Sequence, residues 1–165
     1  MHRTVAAVCL TFVSLSAISS ASDTEYTRRT LKGIKAVGVI VEELRKEVPS
    51  GLTKRQLQTD VELRLRKAGI TVISSNQEAA PYLYVRVNSI QLPNSIQYVY
   101  AVGVELNQTV KLARDMTKTS VATTWDKGGT GCTSRPGGIR DGVADYVDQF
   151  ITAYLSVNPK PWRPF

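Results

Sequence analysis

The chain has 165 residues, 42% of them hydrophobic, and a formal net charge of +7. That length suits one domain, and that apolar content excludes a disordered chain. A single histidine and two cysteines leave little material for metal or nucleophilic chemistry.

The first residues read as a cleavable export signal. Met1-His2-Arg3 is a short positive region, Thr4 to Ile18 is an apolar run, and Ser19-Ser20-Ala21 supplies small residues for cleavage before Ser22. The run is too short and too rich in Ser and Thr for a membrane span, and no other stretch approaches that length. Val8 stands before Cys9 where lipid attachment favours a small residue, which argues against a lipid anchor. Cleavage removes His2, Cys9 and Arg3, lowers the charge by one and leaves Cys132 as the only thiol, so no intramolecular disulfide can form. The expected location is the periplasm or the medium. The remaining basic balance favours anionic partners, and export separates the chain from RNA, so no nucleic-acid partner is expected.

The segment 22–30 is polar and reads as a flexible N-terminus, followed by one domain over 31–157 and a Pro-rich tail over 158–165. Leu31 to Leu44 holds Ile34, Val37, Val39, Ile40 and Val41, a β-branched run that predicts a buried strand closing at Glu42-Glu43. Pro49-Ser50-Gly51 predicts a turn. Thr53 then caps a helix, with Gln56 completing a capping box and Leu52 and Leu57 forming a hydrophobic staple. Leu57, Val61, Leu65 and Ala68 line one face of it, and Gly69 stops it. Asp60/Arg64 and Glu62/Arg66 are spaced as pairs along its surface. Ile70 to Ser74 is a short strand. Leu83, Val85 and Val87 alternate with Tyr84, Arg86 and Asn88, and after the turn at Pro93-Asn94-Ser95 a long alternation runs from Gln97 to Leu112. Asp115 to Lys118 reads as a turn, Thr119 to Trp125 as a strand and 126–138, with five glycines, as a loop. Ile139, Val143, Val147, Phe150, Ile151, Tyr154 and Leu155 mark a final helix ended by Asn158-Pro159.

The order β-α-β-β-β-β-α gives an α+β fold: a mixed, mostly antiparallel sheet with two helices on one face. The helix between the first two strands implies that they run parallel through a right-handed crossover.

Without histidine no Ser-His-Asp or Cys-His arrangement can be built, and no zinc set or cofactor motif is complete. The chain is therefore not expected to be an enzyme. Asp141, Asp145 and Asp148 share one side of the last helix opposite its apolar stripe, the place of a solvated face. Two stretches remain as candidate sites. The glycine-rich run 128–138 joins a strand to a helix, a context that can cradle an anion; Gly129, Gly131, Arg135 and Arg140 would hold it. It lacks Gly-Lys-Ser/Thr, and Ser134 stands where a third dinucleotide-binding glycine would be. Tyr82 and Tyr84 on one strand, with Tyr98 and Tyr100 on the next, could form an aromatic surface. Asn107-Gln108-Thr109 spells a glycosylation sequon inside a predicted strand. The terminal Phe165 follows prolines with no alternation, which excludes a barrel strand.

Gly-Leu-Thr at 51–53, Glu-Leu-Arg-Leu-Arg-Lys-Ala-Gly-Ile at 62–70, Pro-Tyr-Leu-Tyr-Val at 81–85, Val-Glu-Leu-Asn-Gln at 104–108, Ala-Thr-Thr-Trp at 122–125 and Val-Asn-Pro-Lys at 157–160 together resemble a family of secreted bacterial proteins of uncharacterised activity. The element order resembles that of the N-terminal domain of TolB, a partner-binding periplasmic module. The family resemblance implies no particular activity; the absence of catalytic groups beside a complete core points to a non-catalytic binding or envelope-assembly module, acting through a sheet edge or the helix face, whose partner is another envelope protein. The glycine run leaves open a second expectation, a binder of a small anionic molecule.

Overall fold

A computed structural model describes residues 23–45, 48–74 and 80–159; the expected signal, Ser22 and the tail from 160 lie outside them. The elements in chain order are α1 (Glu25–Arg29), β1 (Ala36–Val41), α2 (Lys54–Lys67), β2 (Thr71–Val72), β3 (Tyr82–Gln91), β4 (Tyr98–Leu112), β5 (Asp115–Thr133) and α3 (Pro136–Val157).

The sheet order is β2-β1-β3-β4-β5. β1 is parallel to both β2 and β3, while β3, β4 and β5 form an antiparallel meander. The α+β architecture and the parallel first pair are as the sequence indicates. α2 is set by its capping box: the Thr53 hydroxyl accepts from the Gln56 N–H, and Gln56 Oε1 accepts from the Thr53 N–H. Such a cap contributes about 1 kcal/mol. Gly69, at φ +83°, ends the helix in the left-handed region.

The core lies between the helices and one face of the sheet. Val37, Val39 and Val41 of β1, Leu83, Val85 and Val87 of β3, Val102, Val104 and Leu106 of β4 and Trp125 of β5 all point to it. Leu57, Val61 and Leu65 of α2 and Ile139, Val143, Val147 and Phe150 of α3 close it from above. Each of these side chains contributes roughly 1.5–3 kcal/mol on full burial. Trp125 meets Phe150 edge-on, with ring centroids 5.2 Å apart.

Three expectations need correction. The first strand begins at Ala36; Leu31 is buried but sits in a turn after a helix. The polar segment read as flexible contains α1, capped by reciprocal Thr24 and Thr27 hydroxyls and tied down through Asp23, which accepts from Arg28 and from the Trp125 indole N–H at 3.1 Å. The stretch 126–138 is not a loop. β5 runs through its glycines to Thr133, α3 starts at Pro136, and the polar turn falls at Ala113-Arg114, before Asp115.

Candidate functional site

The glycines of β5 are there for packing. A Cβ on Gly131 would lie 2.5 Å from the Tyr100 ring, one on Gly129 would lie 2.1 Å from the Tyr146 hydroxyl, and one on Gly138 would lie 2.2 Å from Thr133 Oγ1. All are closer than atoms can approach, so the glycines form a notch that seats two tyrosines and lets the first turns of α3 lie on the sheet. The Tyr100 hydroxyl donates to the Gly138 carbonyl at 3.2 Å, and burial raises its pKa, with smaller contributions from Tyr146, Asp145 and Asp141. Gly129 and Gly131 belong to a ladder with β4 (paired to Val102 and Tyr100), so their backbone does not form a concave anion nest.

The two arginines differ. Arg135 is the N-cap residue of α3 and is exposed, with no side-chain capping bond. Arg140 is held by Asp60 of α2 through two bonds, Nε at 2.8 Å and Nη2 at 3.0 Å, and this contact raises its pKa. Arg64 reaches from α2 to Asp148 of α3 at 2.7 Å. The expected Glu62/Arg66 pair forms within α2, whereas Asp60 and Arg64 turn outward and brace the two helices instead. Between them runs a groove of about 470 Å³ lined by Leu63, Arg64, Lys67, Arg140 and Asp141 among others. Two of its cations, Arg140 and Arg64, are engaged by Asp60 and Asp148.

The four tyrosines do not form one surface. Side chains alternate along a strand. The register sets Tyr84 opposite Glu105 and Tyr100 opposite Ser89. Tyr82 and Tyr84 therefore lie on the face away from the helices, and Tyr98 and Tyr100 lie on the helix side. A sequence reading finds the period of each strand but not the register between them.

The face away from the helices is the second candidate surface. No helix packs on it among the described residues. Its centre is polar: Arg86 donates to Glu105 at 2.9 Å, and burial, then Glu42, raises the Tyr84 pKa. One oxygen of Glu42, Oε2, is buried without a hydrogen bond. Towards one end it turns apolar. Ile90 and Val99 are cross-strand partners, 58% and 37% exposed, and Ile96 in the adjoining turn is 75% exposed. Cys132 faces Val99 across the ladder, exposed, its thiol against Gln97 Oε1 at 3.4 Å. The signal for this patch is Ile90 itself: it falls out of phase with Leu83, Val85 and Val87, so an apolar side chain must point to the uncovered face.

Asp141 and Asp145 are not brought together with other acids into a site: no group of three potential ligands able to hold a metal occurs among the described residues. No helix there is long and apolar enough to cross a membrane.

No protein-family model matches the chain, and no curated protein matches its sequence. Solved structures do. A PelC dodecamer from Paraburkholderia phytofirmans shares 17% identity over 73% of this chain and 87% of its own, with a TM-score of 0.46. A minor lipoprotein from Acinetobacter baumannii shares 16% over 76% and 94%, with a TM-score of 0.35. A putative lipoprotein from Caulobacter crescentus CB15 shares 14% over 82% and 98%, with a TM-score of 0.36. These neighbours are bacterial proteins.

Proposed function

We propose that the chain is a non-catalytic binding module of the bacterial envelope, exported by its N-terminal segment, that docks a partner protein on the uncovered face of its sheet. The observation that carries this reading is the exposed cross-strand pair Ile90 and Val99 on a face that no helix covers among the described residues. A sheet face ordinarily carries polar side chains where it meets water, and a contiguous apolar exception marks a contact surface. The chemistry of the chain agrees: Cys132 is the only cysteine beyond residue 9, and the only histidine is His2. The anion-binding alternative loses its support, since the glycines seat tyrosines and Arg140 is engaged by Asp60.

Site-specific photo-crosslinking in the producing cell tests it. A photoreactive residue at position 90 or 99 should give a discrete cross-linked species, and one at the exposed helix position 149 should not. Ile90→Asp should lose the cross-link from position 99, and Val99→Asp that from position 90, while each variant stays folded. Cross-links arising only from the helix side, or none from a folded and abundant chain, would overturn the reading.

A further inference from the structure

Beyond the uncovered face, the β4–β5 hairpin carries a surface of different chemistry. The last core pair along it is Leu106 opposite Trp125. Just outside that pair, Gln108 donates to the Thr30 carbonyl and to Thr124 Oγ1, which fastens the root of the arm to the end of α1. From Thr109 to Val121 no side chain is buried. With each strand residue rising about 3.3 Å, the arm from Thr109 to Leu112 overhangs the core by roughly 13 Å.

The tip combines cations with exposed apolar side chains. The stretch 109–121 holds the cations Lys111, Arg114 and Lys118 and a single carboxylate, Asp115. Asp115 is turned inward on its own turn, accepting from the Thr117 N–H at 3.1 Å and the Thr117 hydroxyl at 2.6 Å, with Lys118 Nζ at 3.6 Å. None of the described residues forms an ion pair with Lys111 or Arg114. Met116 is thrown out by the irregularity between Lys111 and Leu112 and is 61% exposed; Val121 is 56% exposed. Lys32, exposed just past the fastening at Thr30, adds a cation beside the root.

We infer that this arm is a membrane-contact element: Lys111, Arg114 and Lys118 meet the headgroups of an anionic phospholipid surface while Met116 enters the boundary with the acyl chains. The charge is complementary to such a surface, and a flexible thioether side chain at the tip suits an interface that offers no fixed pocket. Each cation near an anionic bilayer strengthens association by about five-fold.

The test uses the processed chain as the cell releases it, its N-terminus fixed by mass spectrometry, in flotation with vesicles of phosphatidylethanolamine with or without phosphatidylglycerol. The wild type should float with the phosphatidylglycerol vesicles, less so as salt rises. Lys111→Glu/Arg114→Glu should lower partitioning by more than ten-fold, and Met116→Ser should lower it with no change in charge. Arg55→Glu, an equal charge change per site on exposed α2 at the far edge of the sheet, should bind like the wild type. The inference is overturned if anionic vesicles are not bound, as when the arm meets an acidic protein instead. It is equally overturned if the tip variants float as the wild type does, or if Arg55→Glu falls as far as they do. Circular dichroism on each variant separates loss of binding from loss of fold.

Discussion

At the scale of single residues, the glycines of β5 carry the clearest structural instruction. Glycine in a strand costs stability, so its repeated use needs a reason. At Gly129 and Gly131 the reason is the pair of tyrosines they admit; at Gly128 it is the backbone carbonyl of Val102, which a Cβ would strike. Gly129→Ala should destabilise the fold by about 1–3 kcal/mol, the range for forcing an atom into a filled space. Because the closest clash is with the Tyr146 hydroxyl, at 2.1 Å, the same substitution should cost distinctly less in a Tyr146→Phe background. Denaturant unfolding of the four members of this cycle reads the coupling directly. Equal costs in both backgrounds would show that the notch is not what holds Gly129. The glycines stand out in the sequence as a cluster, yet their partners sit on another strand and a helix, so a local reading takes the cluster for a loop.

At the scale of elements, α1 and α2 show why one helix is legible and the other is not. α2 carries the Thr-x-x-Gln signature and a stripe of leucines and valine. α1 is five residues long, buries none of its side chains and uses Thr27 where Glu or Gln would advertise the cap. Its stability comes from outside, through Asp23. Two Arg28 donors hold that carboxyl below its ordinary value near 3.8, and the indole N–H of fully buried Trp125 depends on it as well. A carboxyl whose pKa is lowered on folding stabilises the native state above its ordinary pKa, and that contribution fades as pH falls through the native value. Asp23→Ala should therefore cost about 1–3 kcal/mol at neutral pH, the penalty for leaving a buried donor unpaired. The gap to wild type should narrow below about pH 4, as carboxylates protonate. Thermal unfolding from pH 7 to 3 checks both parts; a gap constant across that range would remove Asp23 as the anchor. The helix surface pairs teach the same lesson. Glu62 and Arg66 stay within α2 as local spacing indicates, but Asp60 and Arg64 find Arg140 and Asp148 on α3, partners that no spacing along one helix reveals.

At the scale of the whole molecule, stability should grade along the antiparallel meander. Strand period and helix stripes made the α+β plan and the one-sided core readable in advance. Where β5 would continue, and how far the hairpin would outrun the core, depends on which strands lie beside it. β4 has partners on both sides from Tyr98 to Asn107, because β3 begins at Tyr82, opposite Asn107; from Gln108 to Leu112 it has β5 alone. Beyond Leu106 no helix stripe among the described residues covers it. Backbone hydrogen bonds near solvent with little apolar cover open locally, without global unfolding. Amides at 109–112 should therefore exchange with deuterium roughly ten-fold faster, or more, than those at 102–106 of the same strand. Native-state exchange read by NMR makes that comparison within one element, free of differences between strands. If anionic vesicles then slow exchange at 109–121 and leave 102–106 unchanged, the arm is the part of the molecule that meets the bilayer. Equal protection along β4 in the absence of lipid would mean that the overhang is already covered in solution, and a second copy of the chain would be the first occupant to look for.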